Sequence, residues 1–122
     1  MIWKKRPIEN EIATLNSNIT PSYVLNKISQ SQNSPGIQVS KAGKVLSFKM
    51  FFVTNEAIGQ YTTIMYFPDG ISFATGGVFE VVDSNHNYVG NAYADARGNG
   101  INAFTALANN TNYIISGVLL LL

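Results

Sequence analysis

The segment KVLSFKMFFV (44–53) carries a large apolar side chain at every second position. These side chains are Leu46, Phe48, Met50 and Phe52, and the polar Ser47 and Lys49 lie between them. Successive side chains of a β-strand point to opposite faces, so this spacing predicts a strand with one face in a core. The chain is therefore expected to build a sheet around this segment.

Turn signals recur at short intervals from Tyr23 onward. They are SQNSPG (31–36), KAGK (41–44), NEAIG (55–59), FPDGI (67–71), DSNHN (83–87), RGNG (97–100) and ANN (108–110). Between them lie segments rich in β-branched and aromatic residues, such as QYTTIMYF (60–67) and GVFEVVD (77–83). About eight short strands without intervening helices predict an all-β fold, an antiparallel β-sandwich or jelly roll.

The last segment, TNYIISGVLLLL (111–122), becomes apolar on both faces towards its end. Such a strand is expected only where both of its sides are covered, and a neighbouring subunit would cover the second side. The run GVLLLL is far shorter than the roughly 18 residues that a membrane-spanning helix needs. We therefore predict a buried last strand and no membrane insertion.

Residues 8–23, IENEIATLNSNITPSY, have a different period from the remainder of the chain. Apolar side chains recur at spacings of four, three and four residues, which is a heptad seam. Pro7 suits the first turn of a helix, and Pro21 would end it. We predict a helical neck or linker over residues 1–22 and a β-sandwich head over residues 23–122, with the seam formed by Ile8, Ile12, Leu15 and Ile19.

A single helix of about 13 residues is only marginally stable in water, so this one needs a partner. The helix could pack on its own domain, but a seam of two apolar positions per heptad suits another helix better than a sheet. Isoleucine at both core positions makes a three-stranded assembly at least as plausible as a two-stranded one. The predicted assembly is a homotrimer.

Composition excludes several classes of function. Charged residues make up 12% of the chain, and 14 asparagines supply much of its polarity. After Lys4, Lys5 and Arg6, residues 7–122 hold five basic and seven acidic side chains, a net charge of −2. This balance lacks the basic footprint of a nucleic-acid-binding protein. The chain has no cysteine, which excludes disulfides and thiolate chemistry.

No catalytic or metal-binding signature is evident. The segment after Asp83 alternates like a calcium loop, but its sixth and twelfth positions are Tyr88 and Ala94 instead of glycine and glutamate. The single histidine, His86, has no G-x-S-x-G partner motif, and no spacing suggests paired carboxylates or a phosphate loop. We expect no enzyme activity, no metal and no cofactor.

Polar and aromatic residues collect in the predicted loops and strand ends of the second half. Amides, carboxylates and a stacked ring are the groups that hold neutral sugars, although solvent-facing positions of an asparagine-rich protein would look similar. The arginine in this region could bind a hydroxyl pair or a phosphate with its forked guanidinium. The candidate saccharide site comprises Asp83, Asn85, His86, Tyr88 and Arg97, and the alternative is a groove lined by Tyr61 and Tyr66.

Four segments together resemble the C-terminal head domain of phage tail-fibre and baseplate receptor-binding proteins, of the lactococcal-phage type. They are IQVSKAGKVLSFKMFF, YTTIMYFPDGI, GVFEVVDSNHNYVG and ANNTNYIISGVLLL, within residues 37–122. The family pattern runs from a K-x-G-x-V strand through a strand with threonines that ends in an L-P-x-G-type turn, and then through a G-x-hydrophobic hairpin to a closing A-N-x-x-Y-x-x-S-G strand.

The resemblance implies a trimer of β-sandwich heads below a neck that binds host cell-wall saccharide without cleaving it. It also implies a location in the virion, at the tail tip or baseplate, after synthesis in the host cytoplasm, and contacts with other tail proteins. The alternative is a structural or accessory tail component with the same fold and no receptor site.

Overall fold

The computed structural model describes residues 19–32, 35–68 and 70–122. Within them every regular element is a β-strand, which confirms the all-β prediction. The strands are β1 (Val24–Leu25), β2 (Ile28–Gln30), β3 (Ile37–Ala42), β4 (Val45–Thr54), β5 (Thr63–Tyr66), β6 (Gly77–Asp83), β7 (Tyr88–Ala94), β8 (Gly100–Ala103) and β9 (Asn112–Leu120). Among these residues, no helix is long and apolar enough to cross a membrane.

All nine strands belong to one antiparallel sheet. Its order is β1-β5-β8-β7-β6-β9-β4-β2, and β3 pairs with β4 beside β2. The expected β-sandwich is not confirmed, because hydrogen bonds run through the strands in one continuous order and do not separate two stacked sheets. Alternation along a strand identifies a buried face but does not say whether a second sheet or the same sheet covers it.

The two outer strands of this order, β1 and β2, are consecutive in the chain and separated by Asn26 and Lys27. The Asn26 amide donates to the Ile64 carbonyl on β5 at 2.9 Å, and the Lys27 carbonyl accepts from the Asn55 amide after β4 at 2.9 Å. This short link therefore contacts both edges, and the sheet is nearly closed into a barrel. The division of residues 24–30 into two strands also raises the strand count above the predicted eight.

The core fills the inside of the curled sheet. On β4 the predicted alternation is confirmed: Leu46, Phe48, Met50 and Phe52 are buried, whereas Ser47 and Lys49 are exposed. Apolar side chains from the other strands and connections complete it, the largest fully buried ones being Phe67, Phe73, Ile58, Ile64, Met65, Ile101 and Ile115.

Most predicted turns lie between observed strands. The KAGK turn joins β3 to β4, with Gly43 in the left-handed region (φ 57°), and GVFEVVD forms β6 with the predicted bounds. QYTTIMYF is only partly a strand. Tyr61 has a φ of 69°, and β5 begins two residues later at Thr63. A left-handed residue cannot continue a pleated strand, which explains the shorter element.

Ile19 does not lie in a helix, and this part of the seam prediction is wrong. It forms an antiparallel bridge with Lys41, in which the Ile19 amide donates to the Lys41 carbonyl at 2.8 Å and the Lys41 amide donates back at 2.7 Å. The following Thr20 precedes Pro21, whose ring disfavours helical geometry for the residue before it. The other seam residues, Ile8, Ile12 and Leu15, lie outside the described residues.

The last strand is covered on only one side in the single chain. Tyr113, Ile115 and Leu119 on β9 are buried, whereas the alternate positions face outward. We call the outward apolar surface formed by β9 and its neighbours the lateral apolar face. Its side chains are exposed by 40% to 73%, and they are Val45, Val78, Val118, Leu120 and Leu122.

Gly117 provides a test of the core packing. It lies opposite Phe48 on β4, and an added Cβ would come within 2.4 Å of the Phe79 ring and 2.9 Å of the Phe48 ring. These two rings pack edge to face, with centroids 5.0 Å apart. We expect Gly117→Val to lower the free energy of unfolding by about 1–3 kcal/mol, because the rings must leave their positions.

Urea denaturation measures this loss. The neighbouring Ser116 is exposed on the same strand, so Ser116→Val should stay within about 0.5 kcal/mol of the parent. Equal stability of the Gly117 variant and the parent would contradict this packing.

Candidate functional site

The two ends of the sheet are chemically and topologically different. The ten residues of β4 run from one end to the other, a length of about 30 Å. The proximal end is where Ile19 joins Lys41 and where the β3–β4 turn and Leu122 lie. The distal end contains Thr54, the start of β9 and the β6–β7 hairpin loop, because Asp83 pairs with Tyr113 and Val53 with Asn112.

Four of the five predicted site residues lie in the distal hairpin. Asp83 ends β6, Asn85 and His86 form the loop, and Tyr88 begins β7 with 62% of its surface exposed. Arg97 is not part of this group. It follows β7 at the proximal end, where its amide donates to the Phe73 carbonyl at 2.7 Å, and the seven residues of β7 separate it from Tyr88 by about 20 Å.

Asp83 builds the hairpin. Its Oδ1 accepts hydrogen bonds from the Asn85 amide at 2.9 Å and the Asn87 amide at 3.0 Å, and its own amide donates to the Asn87 carbonyl. An aspartate that bonds to backbone amides two and four residues ahead fixes a tight loop. His86 occupies the left-handed position of this loop, with φ 63°.

A depression of about 210 Å³ lies beside the hairpin at the distal end. The half-buried Phe51 and Ile114 contribute its apolar lining, while Ser84 and His86 contribute polar groups from the hairpin. We call this the distal depression, and its lining is completed by Ser31, Asn112 and Tyr113.

A second, larger depression of about 380 Å³ adjoins it. The two share Ser31 and Asn112, and the Ser31 hydroxyl donates to Asn112 Oδ1 at 3.0 Å. This second depression, which we call the amide depression, is bordered by four side-chain amides, those of Gln30, Gln32, Asn55 and Asn112. Together the two depressions place an apolar floor next to several planar amides.

This arrangement suits a neutral polar ligand with one apolar face. Phe51 offers a ring, and the Lys49 ammonium nitrogen lies 5.3 Å from the centroid of that ring. Amides, hydroxyls and an imidazole can both donate and accept hydrogen bonds. No group of three histidine or acidic side chains able to hold a metal ion occurs among the described residues.

Sequence reasoning missed Phe51, Ile114, Asn112 and two glutamines, Gln30 at the end of β2 and Gln32 in the β2–β3 connection. The alternation of β4 contained a signal for Phe51, because Phe52 points inward and its neighbour must then point outward. No such signal existed for Asn112 and Gln30, which become neighbours of the hairpin only through long-range strand pairing. Of the alternative pair, Tyr61 lines a different concavity, whose lining does not include Tyr66.

Comparisons with protein-family models, with curated proteins and with solved structures found no match for this chain.

The role of Asp83 can be tested through stability. Asp83→Ala removes the acceptor for two backbone amides and should lower the free energy of unfolding by about 1–2 kcal/mol. Asp83→Asn keeps a carbonyl oxygen at the same position and should stay closer to the parent. Urea denaturation of both variants measures this difference, and an alanine variant as stable as the parent would show that the hairpin does not depend on Asp83.

Proposed function

We propose that this chain is a host-adhesion protein of a phage tail or baseplate, whose trimeric head binds a host cell-surface saccharide without cleaving it. The observation that carries the proposal is the pair of adjoining depressions at the distal end, where an apolar floor borders amides and hydroxyls. The four sequence segments that resemble receptor-binding heads supply the biological context. The proposed site of action is the tip of the tail.

The chemistry of the distal end favours a sugar. A pyranose presents an apolar face of C–H groups and a rim of hydroxyls, and each hydroxyl both donates and accepts. Phe51 and Ile114 suit the apolar face, while Asn112, Ser84 and His86 suit the rim. A pocket with a few polar groups around an apolar surface is typical of small-ligand sites.

The lining also favours binding over cleavage. Glycoside hydrolysis commonly uses two carboxyl groups on opposite sides of the scissile bond. The described residues that line the distal depression and the amide depression include no aspartate or glutamate. The nearby Asp83 uses Oδ1 to hold the hairpin backbone. These observations support a site that holds a saccharide unchanged.

The position of the depressions agrees with a role in adhesion. The described part of the chain begins at the proximal end, where Ile19 bridges Lys41. Whatever the preceding segment attaches to, the distal end faces away from that junction. Loops on a rigid scaffold are a common place for binding residues, and the hairpin and the β2–β3 connection are such loops.

The lateral apolar face supports the proposed homotrimer. Val118 and Leu120 are exposed by 60% and 53%, and Val45 lies directly opposite Leu120 in the β4–β9 register. This face reaches the proximal end, where Ile19 is also exposed by 53%. Contacts between heads through this face and contacts through the predicted neck would therefore lie at the same end of the molecule. An apolar assembly surface is also what a purely structural protein needs. It therefore favours a second candidate function, a structural tail component without a receptor site.

A matched pair of variants tests the location of the saccharide site. His86 and Arg97 both adopt a left-handed backbone, with φ values of 63° and 64°, so glycine fits both positions without strain. We expect His86→Gly to weaken binding to cell-wall polysaccharide from candidate hosts by roughly tenfold, or about 1.4 kcal/mol. Arg97→Gly should bind like the parent, because it lies at the proximal end.

Surface plasmon resonance on immobilised polysaccharide, with thermal melting as the folding control, measures both variants. Loss of binding in Arg97→Gly alone would place the ligand at the proximal end. Parent protein that binds no host polysaccharide at all would favour the structural component.

The mass of the protein in solution tests the proposed homotrimer. Light scattering should give three times the chain mass of 13.3 kDa. Leu120→Lys places a charge on the lateral apolar face and should shift the population towards smaller species, because a buried unpaired charge costs several kcal/mol. Ser116→Glu, which places a charge on the same outward side of β9 opposite Lys49, is the control and should keep the mass of the parent. A parent that stays monomeric at micromolar concentration would contradict the trimer.

A further inference from the structure

Three aromatic side chains cluster on the outside of the sheet, away from the distal depressions. Tyr61, Tyr93 and Phe104 contact one another edge to face, with ring centroids 6.3, 5.9 and 5.9 Å apart and interplanar angles of 80°, 82° and 85°. Tyr61 is 61% exposed and Phe104 is 45% exposed. We call these three rings the aromatic corner, because each plane is nearly perpendicular to the other two.

The backbone holds the aromatic corner in place. The Tyr61 amide donates to the Ala103 carbonyl at 2.7 Å, and its left-handed φ directs the chain away from β5. The Phe104 amide donates to the Asn91 carbonyl at 2.9 Å, which ties the end of β8 to β7. Tyr93 lies on β7 itself, paired with Val78. Backbone bonds position the three residues and mutual ring contacts restrict their side chains, which reduces the entropy that a ligand must remove on binding.

The rings line a concavity of about 460 Å³ whose lining carries one charge. Val78 and the Gly76–Gly77 pair form part of the wall, and Asp95 supplies the only ionisable carboxylate in the lining. Lys27 and Glu56, 3.2 Å apart, form the one ion pair found within the described residues, so no described cation lies within ion-pair distance of Asp95. Aromatic faces are also negative, because of the ring quadrupole.

The shape and the charge of this concavity select a class of ligand. A sugar ring stacks flat on one aromatic face, whereas three mutually perpendicular rings that line one concavity can contact a rounded group from different directions. Negative ring faces and a carboxylate attract a positive charge, and aromatic cages of this kind recognise quaternary ammonium groups. We infer that the aromatic corner and Asp95 form a binding site for an organic cation with a trimethylammonium-like head, such as choline.

This site is independent of the proposed saccharide site. It lies on the outer surface of β6, β7 and β8, and it shares no lining residue with the distal or amide depression. The inference therefore does not rest on the adhesion function. Its ligand can be a free small molecule or a cationic substituent on a surface polymer, since both present the same head group.

Choline chloride and its neutral analogue 3,3-dimethylbutan-1-ol are the probes for this test. The two molecules have nearly the same shape and differ in charge. Nuclear magnetic resonance titration of the full chain should give saturable shifts with choline at amide groups near Tyr93 and Asp95. The neutral analogue should bind at least tenfold more weakly. Equal binding of both probes, or no saturable shift with choline, would overturn the inference.

Variants locate the site. Asp95→Asn removes the charge and keeps the shape, and Tyr61→Asn removes one ring while suiting the left-handed backbone. Each should weaken choline binding by about tenfold. Binding to host polysaccharide should stay unchanged where the ligand is a free small molecule, and should weaken where the cation is a substituent of that polymer. Tyr66→Thr removes a tyrosine that is 37% exposed outside this concavity, and it should bind choline like the parent.

Light scattering on the same samples tests whether a second copy of the chain, instead of a cation, covers the aromatic corner. If Tyr61→Asn lowers the mass of the assembly and choline binding is absent in the parent, the aromatic corner is a contact between copies of the chain and the inference is wrong. Choline binding that survives both Asp95→Asn and Tyr61→Asn would overturn it as well.

Discussion

The pairing of β4 with β9 is the contact on which the remainder of the molecule depends. It joins nine consecutive residue pairs, from Val45–Leu120 to Val53–Asn112. The opposite edge of β4 carries β3 and β2, and the opposite edge of β9 carries β6. Because side chains alternate with a period of two, one register fixes the inward set and the outward set together. If one strand slipped by one residue, its whole core side would turn towards solvent.

This register also explains why one ladder supplies three surfaces. Its inward side is the core, where the missing side chain of Gly117 makes room for the Phe48 and Phe79 rings. Its outward side is apolar at both ends and polar between them, where Lys49 lies opposite Ser116. The distal end contributes Phe51 and Ile114 to the depression, and the proximal end contributes most of the lateral apolar face. The β4–β9 register therefore determines the core, the floor of the distal depression and the lateral apolar face together.

Sequence patterns predicted the structural features that depend on residues close together in the chain. The alternation of β4, the bounds of β6 and the turn signals follow from sequence because they depend on neighbours a few residues apart. The nearly closed sheet did not follow, because it depends on residues 24–30 contacting both β5 and β4. The candidate site was likewise predicted only where it depends on residues close together in the chain. The hairpin of Asp83 is a local turn, whereas Ser31 and Asn112 are 81 residues apart in the chain and meet only through the fold. Arg97 was misplaced although the sequence carried a signal against it: its loop and the hairpin loop flank the same strand, β7, and therefore lie at opposite ends of that strand.

In the proposed adhesion function, the lining of the distal depression limits how strongly one head can bind a saccharide, because it includes no aspartate, glutamate, lysine or arginine. Hydrogen bonds to a sugar exchange for hydrogen bonds to water, so the net gain from each is modest, about 0.5–1.5 kcal/mol. A depression of 210 Å³ lined mostly by uncharged groups therefore supports only weak binding by one head. In the proposed trimer, association at the proximal ends would turn three distal ends in one direction. Linked sites then bind a repeating polymer with an avidity that can exceed the single-site affinity by about 10²–10⁴, provided that the spacing of the heads matches the polymer. Weak individual sites also release and rebind, so a particle attached in this way can move over a surface without detaching.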